Sequence, residues 1–206
     1  MPFTHYALDN YFAQEISALS ECNAPDLAEH FAEVEPLMDN FILNSIFTFP
    51  LKTEYKPYIF GIIRRVQMAL VEYQNGRTLL LLYLNESQKN ISLYFQALSH
   101  FEIAVTQLYQ AYEFWRKLGK KIESKETNLF KTGDGSSHEK LNRLYNISKH
   151  LEPSTIPEGN LHHVWISNNG ICASGVTISF TELAELVKEY VALANAFSNP
   201  NQDSIP

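Results

Sequence analysis

Positive charge is missing from the first quarter of the chain. Residues 1–50 hold eight Asp and Glu residues and no Lys or Arg, and the first cation is Lys52. A secretory signal peptide begins with a basic segment, so this stretch predicts no secretion signal. Long apolar runs are missing too, because the longest aliphatic or aromatic run, residues 79–84, is far below the ~20 residues of a membrane span. We therefore expect a cytoplasmic protein without a membrane span.

Cysteine is scarce, and the other metal-binding residue types are poorly spaced. Cys22 and Cys172 are far apart in the sequence, without other ligand residues close by, which predicts free thiols in a reducing compartment. His162 and His163 are adjacent, and in a strand their side chains would leave opposite faces. The sequence has neither a phosphate-binding glycine loop nor a serine nucleophile elbow. It predicts no metal site and no cofactor.

Positive charge is instead concentrated in residues 116–149. Nine Lys and Arg residues outnumber four Asp and Glu residues there, although the formal net charge of the whole chain is −7. The negative total argues against a general nucleic-acid coat, whereas a local basic segment can attract a phosphate backbone. The alternative is an ordinary solvated helix end and loop. The candidate RNA-binding residues are Arg116, Lys117, Lys120, Lys121 and Lys149.

One apolar stripe organises the rest of the fold. Between residues 85 and 118, apolar residues recur at alternating spacings of three and four, which predicts one face of a long helix. Asn85 followed by Gln88 indicates the N-cap, and cations at the other end complement the helix dipole. At ~1.5 Å per residue such a helix spans roughly 50 Å. The stripe consists of Ile91, Tyr94, Leu98, Phe101, Val105, Leu108, Tyr112 and Trp115.

Other helices are predicted from apolar spacing and from helix-ending residues. One is expected over residues 4–20, and a later one should be kinked at Pro36. A third should end at Asn75-Gly76, a natural C-terminal stop. Residues 79–84 fit either a short strand or a helical turn, and their helical neighbours favour the helix.

Two capping boxes mark the starts of the last helices. Ser136 with Glu139 three residues later predicts a helix over about residues 137–151, and Ser179 with Glu182 repeats the pattern. One of these helices is therefore expected before the segment richest in strand-forming residues, and the other directly after it.

That segment, residues 162–178, is the one strong β signal. Asn169-Gly170 is a favoured pair for a two-residue type I′ turn, and Gly175 fits a bulge in the second strand. A lone hairpin is marginally stable in water, so it must pack against the helices. The predicted fold is therefore a mainly α-helical bundle around the long helix, with a single β-hairpin.

The domain organisation follows from length and composition. A chain of 206 residues with 45% hydrophobic residues can bury one full core, so residues 1–197 should form a single domain and residues 198–206 a disordered tail. The long helix carries more apolar face than a few short helices are expected to cover. We therefore expect a homodimer.

The helix over residues 137–151 carries the candidate catalytic residues. Relative to Arg143, Asn146 falls at about 300° and His150 at about 340° around the helix axis, on a face that borders the buried one. An arginine there can hold a phosphate, and a histidine can transfer protons near neutral pH. Tyr145 lies elsewhere on the helix. The alternative is that the trio consists of ordinary polar residues at the edge of an amphipathic helix.

The segment Arg143-Leu-Tyr-Asn-Ile-Ser-Lys-His150 resembles the Arg-x(4–6)-His motif of the HEPN (higher eukaryotes and prokaryotes nucleotide-binding) family. The family consists of helical bundles, often dimeric, and many members are metal-independent ribonucleases of toxin–antitoxin or phage-defence systems. The resemblance implies that Arg143 and His150 meet their symmetry mates at a dimer interface and cleave RNA, with Asn146 assisting. The alternative is a non-catalytic helical module that binds a protein partner, such as an antitoxin, through the acidic N-terminal third.

Overall fold

A computed structural model describes residues 5–11, 13–48, 52–87, 89–123, 128–149 and 163–199. This part of the chain is 69% helical and also contains a small antiparallel sheet, which confirms the predicted mainly α fold. In the described ranges no helix is both long and apolar enough to cross a membrane. The helices are α1 (His5–Tyr11), α2 (Phe31–Val34), α3 (Leu37–Leu43), α4 (Lys56–Asn85), α5 (Ile91–Glu123), α6 (Ser137–Lys149) and α7 (Phe180–Ser198), with a 3₁₀ turn at Ala28–His30 and a π-helical turn at Asn44–Thr48.

The two longest helices, α4 and α5, form the centre of the fold. Their contacting side chains pair in opposite chain directions, so the helices are antiparallel, and α7 packs against both. Along the pair, aromatic rings meet mostly edge to face, a favourable arrangement for buried rings. The ring pairs are Tyr58 with Phe114, Tyr73 with Phe101, and Tyr83 with Tyr94. Between them Arg65 on α4 donates a hydrogen bond to Gln107 on α5.

The predicted helix stop at Asn75-Gly76 is wrong, because α4 continues through it to Asn85. Gly76 is buried, and a Cβ atom there would lie 3.1 Å from the Phe101 ring. The glycine therefore allows α5 to approach rather than ending α4. Residues 79–84 are helical, as their neighbours indicated.

The long central helix is confirmed, but α5 begins later than predicted. Asn85 is the last residue of α4, and the cap belongs to Asn90, whose Oδ1 accepts a hydrogen bond from the Ser92 N–H at 3.0 Å. The other end extends to Glu123. Asn85 and Asn90 lie at the two ends of the short connection between α4 and α5. Asparagine is a favoured N-cap residue, so the sequence alone does not decide which of the two begins α5.

The N-terminal helix is shorter than the predicted residues 4–20. It ends at Tyr11, and a turn follows in which Glu15 has a positive φ of 63°. The Asp9 carboxylate accepts hydrogen bonds from the Ser17 N–H, at 2.9 Å, and from the Ser17 hydroxyl. These bonds hold the segment that follows α1 against the helix. The predicted break at Pro36 is confirmed, since it separates α2 from α3.

The predicted hairpin is part of a three-stranded antiparallel sheet, β1 (Val164–Ser167), β2 (Gly170–Ala173) and β3 (Val176–Ser179). The first turn consists of residues 168 and 169, one residue earlier than predicted, because Gly170 already belongs to β2. A Cβ at Gly170 would lie 2.1 Å from the Ile178 carbonyl oxygen. The close approach of β3 to this end of β2 therefore leaves room only for glycine. Gly175, with φ of 70°, forms the second turn rather than a bulge.

Of the two predicted capping boxes, the one at Ser179 is complete and the one at Ser136 is only half formed. Ser179 and Glu182 form the full capping box that begins α7. At α6 the Ser136 hydroxyl accepts from the Glu139 N–H at 3.2 Å, as predicted. The Glu139 carboxylate, however, accepts from the N–H groups of Gly133, at 2.7 Å, and Gly135, at 2.8 Å. Glu139 therefore holds the loop that precedes α6.

Some predicted features fall on residues outside the described ranges. Of the predicted tail, Ser198 is buried at the end of α7, while residues 200–206 are not described. Residues 150–162 are also outside these ranges, and they include His150 and His162.

Candidate nucleic-acid interface

Two tyrosine rings stack where α5 and α6 meet. The ring centres of Tyr109 and Tyr145 are 4.1 Å apart and the planes differ by 18°. The helices are held together by the apolar face of α6, where Leu141 and Leu144 are buried. The hydroxyl of Ser148 also donates to Glu102 on α5 at 2.8 Å. Both tyrosines are half-buried, so this contact places aromatic surface at the edge of the core.

A large cleft of about 610 Å³ opens on one side of Tyr109. One wall is the outer face of α5, and the other is the loop before α6, which contributes Phe130 and Lys131. The cleft therefore combines three aromatic rings with two cations. Its lining residues are Tyr109, Tyr112, Glu113, Arg116, Asn128, Phe130, Lys131 and Thr132.

A smaller cleft of about 280 Å³ lies on the other side of Tyr109. It is bounded by α4, α5 and α6, and it shares Tyr109 and Glu113 with the large cleft. Because of these shared residues the two clefts lie side by side, and together we call them the Tyr109 groove. The smaller cleft is lined by Arg65, Tyr109, Gln110, Glu113, Phe114, Lys117 and Tyr145.

Arg65 is a half-buried cation of the Tyr109 groove, and it lies on the α4–α5 interface. Its Nη1 donates to the Gln107 side chain at 2.8 Å, while its buried Nε has no hydrogen-bond partner among the described residues. Burial, and then the nearby charge of Arg64, lower the pKa of the Arg65 guanidinium. The guanidinium lines the smaller cleft, and guanidinium groups are suited to bind phosphate oxygens.

Cations outnumber carboxylates along the Tyr109 groove. Among the described residues, Arg65, Arg116, Lys117 and Lys131 line it, and Glu113 is the one lining carboxylate. Glu113 is also paired with Arg116, whose Nη2 lies 3.1 Å from Glu113 Oε2. Burial, and then Glu113, raise the pKa of the Tyr109 hydroxyl, so its ring remains neutral at physiological pH.

The five predicted RNA-binding residues do not all lie in this groove. Arg116 and Lys117 line it, and Lys149 extends over the Tyr145 ring, with Nζ 5.7 Å from the ring centre. Lys120 is exposed one turn further along α5. Lys121 faces the start of α4, where its Nζ lies 3.8 Å from the Glu54 carboxylate.

The predicted catalytic residues lie outside the groove where they are described. Arg143 is exposed, and its Nη2 donates to the Gly175 carbonyl at 2.8 Å, which ties α6 to the turn between β2 and β3. Asn146 is exposed and donates to Asn142 at 3.1 Å. Arg143 and Tyr145 are about 200° apart around α6, so they face different neighbours. His150 lies outside the described residues.

Several groove residues escaped sequence analysis. Arg65 lies inside an apolar helical pattern, so it was not recognised as a site residue, and Lys131 was counted only as part of the basic segment. Tyr109 and Tyr145 belong to different helices, and no local spacing predicts that they stack. The available signal was indirect: both tyrosines stand outside the main apolar stripe of their helices and so need another contact.

The fold and this groove together define a helical-bundle protein with a small antiparallel sheet and a basic, aromatic groove between its helices. Among the described residues no cluster of His, Cys, Asp and Glu is placed to hold a metal ion. Comparisons of the chain with protein-family models, with curated proteins and with solved structures gave no match.

Proposed function

We propose that this protein binds single-stranded RNA in the Tyr109 groove. The observation that carries the proposal is the Tyr109–Tyr145 stack, because it borders clefts whose described lining has four cations and one carboxylate. Proteins bind single strands by stacking bases on aromatic rings and by pairing the phosphates with cations. Both kinds of group are present within one groove.

Each cleft offers a base the same kind of contact. The ring of Tyr109 lines both clefts, and the smaller one also exposes the ring of Tyr145. The phosphates would lie near Arg65 and Lys117 on one side and near Lys131 on the other. The acidic remainder of the molecule repels a polyanion, which confines binding to this groove.

The proposal is tested by fluorescence anisotropy with a short fluorescein-labelled oligouridylate. The change Tyr145→Leu should weaken binding roughly 5- to 150-fold, because one base–aromatic stack contributes about 1–3 kcal/mol. Tyr11→Leu is the matched control, since Tyr11 is an exposed tyrosine on α1, outside the groove. Equal affinities of both variants and of the wild type would contradict the stacking role.

Salt dependence tests the phosphate contacts separately. Between about 50 and 200 mM salt, Lys117→Gln should lower the slope of log affinity against log salt by about 0.7. Lys188→Gln removes a lysine that pairs with Glu185 on α7 and should leave the slope unchanged. An identical slope for Lys117→Gln and the wild type would place the phosphates elsewhere.

Cleavage of the bound RNA is the further step that the HEPN resemblance implies. We propose that Arg143, Asn146 and His150 form a composite site in a homodimer, in which His150 moves the proton and Arg143 meets the phosphate charge. His150→Ala should then abolish cleavage measured with a chelator present, while RNA binding remains. Sedimentation that finds only a 23.6 kDa species during active cleavage would exclude a dimeric site.

A non-catalytic, partner-binding module is the alternative, and one observation favours it. Apolar side chains are exposed in the acidic N-terminal third, where a protein partner would bury them. If the wild type binds no RNA at low salt, this alternative replaces our proposal. The exposed residues are Tyr6, Tyr11, Ile42, Leu43 and Ile46.

A further inference from the structure

One acidic side chain lies inside the otherwise basic Tyr109 groove. Among the described residues that line the two clefts, Glu113 is the one carboxylate, and it lines both of them. A carboxylate repels the phosphates that the four cations of the groove attract. If the groove only held a phosphate backbone, this side chain would oppose its function. A contact with another part of the RNA explains its position better.

Only one of the two carboxylate oxygens of Glu113 is used within the chain. Oε2 accepts a hydrogen bond from Arg116 Nη2 at 3.1 Å, whereas Oε1 has no hydrogen-bond or ion-pair partner among the described residues. The side chain is 25% exposed and lines both clefts, so a molecule bound in the groove can reach it. The pair with Arg116 fixes the position of the carboxylate and leaves it free to accept further hydrogen bonds.

The aromatic ring beside this carboxylate belongs to Tyr109. The two residues are four positions apart on α5, so they are neighbours on one face of the helix. Burial is the main cause of the raised pKa of the Tyr109 hydroxyl, and the negative charge of Glu113 is the second, as expected for neighbouring groups. A base that stacks on Tyr109 therefore has an edge near the Glu113 carboxylate.

Guanine is the base whose edge matches a carboxylate. Its Watson–Crick edge presents two adjacent donors, N1–H and the N2 amino group, and a carboxylate accepts two such bonds at once. Adenine and cytosine place a ring-nitrogen acceptor beside their amino group, and uracil places a carbonyl acceptor on each side of its one N–H. An ionised carboxylate accepts hydrogen bonds and donates none, so it favours guanine over the other three bases.

We propose that Glu113 selects guanine in the RNA bound by the Tyr109 groove, by accepting hydrogen bonds from N1–H and the N2 amino group of a base stacked on Tyr109. This base preference rests on the proposed RNA binding and makes it specific. Arg116 is a second group that could select guanine, because arginine donates to the O6 and N7 acceptors on the opposite edge of the base. The experiment must therefore separate the two edges.

The base preference is tested by fluorescence anisotropy with fluorescein-labelled pentaribonucleotides UUXUU, in which X is guanosine, adenosine, cytidine or uridine. The wild type should bind the guanosine oligonucleotide roughly 5- to 150-fold more tightly than the other three. Inosine at X lacks the N2 amino group and should lose most of this preference. The analogue 7-deazaguanosine lacks N7 and should keep it.

These oligonucleotides separate the base preference from RNA binding itself. Equal affinities for all four bases, or a loss of the preference with 7-deazaguanosine rather than with inosine, would overturn the role of Glu113 and leave RNA binding intact. No binding of any oligonucleotide at low salt would overturn both. All of these measurements use the wild type, so they decide the question even if a variant at position 113 does not fold.

Glu113→Gln tests the carboxylate directly. The variant should bind the guanosine and uridine oligonucleotides equally well, and it should bind the uridine one more tightly than the wild type does, because a negative charge is removed from the groove. Glu185→Gln is the matched control, since Glu185 also pairs with a cation three residues later, Lys188, but lies on α7 outside the groove. If Glu113 only positions Arg116, Glu113→Gln should change the affinity for every oligonucleotide by the same factor, and that result would overturn the proposal.

Discussion

Two buried tyrosines differ in what their hydroxyl groups contact. Tyr73 donates to the Pro25 carbonyl at 3.1 Å, whereas the Tyr190 hydroxyl has no partner among the described residues. Tyr73→Phe should therefore lower the free energy of unfolding by about 0.5–1.5 kcal/mol, and Tyr190→Phe should leave it unchanged or raise it slightly. Denaturant unfolding of the two variants measures the contrast. A larger loss for Tyr190→Phe would mean that its hydroxyl is bonded within the folded protein.

Glu139 anchors the loop that forms one wall of the Tyr109 groove. Its buried carboxylate accepts from the N–H groups of Gly133 and Gly135. Glu139→Gln keeps the size of the side chain but turns its NH₂ group towards one of these donors, so it should cost about 1.5–3 kcal/mol of stability. RNA affinity should also fall, because the same loop carries Lys131.

The matched control for this change is Glu185→Gln. Glu185 is exposed on α7 and pairs with Lys188, and an exposed ion pair contributes little to stability. Thermal and denaturant unfolding should therefore separate the two variants clearly. If both Glu→Gln changes have equal effects, Glu139 does not anchor the loop.

At the scale of the helix, Gly76 decides how closely α4 and α5 pack. Alanine has a helix propensity about 1 kcal/mol better than glycine, which would favour Gly76→Ala. A Cβ there would, however, lie 3.1 Å from the Phe101 ring, which is fully buried between Tyr73 and Phe180 and has no room to move. Crowding of this kind costs about 1–3 kcal/mol, so we expect a net loss of stability.

Asn75→Ala tests the propensity effect without the crowding. Asn75 precedes Gly76 on the exposed face of the same helix, so alanine there should stabilise the protein by a few tenths of a kcal/mol or more. Chemical denaturation should thus move the two midpoints in opposite directions. A rise in both midpoints would show that the α4–α5 interface tolerates a methyl group.

These residues also explain which elements were predictable. Capping at Ser179 and the apolar stripe of α5 are local patterns, and both were predicted correctly. Asn75-Gly76 has a local sequence typical of a helix end, but tertiary packing against Phe101 overrides it. The third strand was missed for a similar reason, because the division of residues 171–178 at a turn depends on pairing between strands.

The candidate site was less predictable than the fold. Arg116 and Lys117 were found because charge density is visible in the sequence, and both line the groove. Arg65 and the Tyr109–Tyr145 stack depend on contacts between residues more than thirty positions apart, which no local pattern encodes. Sequence alone therefore predicted the positive charge of the site and missed its aromatic centre.

At the scale of the whole molecule, the central apolar stripe is covered within one chain. Tyr94, Leu98, Phe101, Val105, Leu108 and Tyr112 are all buried in the single protomer. The excess apolar face that suggested a homodimer is thus largely used by α4 and α7. The homodimer stays a prediction, and the HEPN resemblance is now its main support.

One contribution to the pH dependence of stability comes from His138, which lies between two buried tyrosines. His138 lies 6.4 Å from Tyr112 and 6.0 Å from Tyr190, measured between ring centres. Burial lowers its pKa below the ordinary value of 6.5, although the charges of Glu189 and Asp134 partly oppose this. The unfolded chain therefore binds this proton more readily than the folded protein does, so stability rises with pH across the interval between the folded pKa and 6.5.

Acidification from about pH 7.5 to pH 5 should consequently lower the free energy of unfolding, with His138 contributing a slope of at most about 1.4 kcal/mol per pH unit. His138→Gln should remove this contribution. Subtracting the slope of the variant from that of the wild type removes the contributions of the other titrating groups, which the two proteins share. Hydrogen bonds lower the pKa values of Asp26 and Asp134, so their stabilisation is lost only at lower pH. Urea unfolding at several pH values measures the slope, and a slope in His138→Gln that is equal to or steeper than that of the wild type would contradict the assignment.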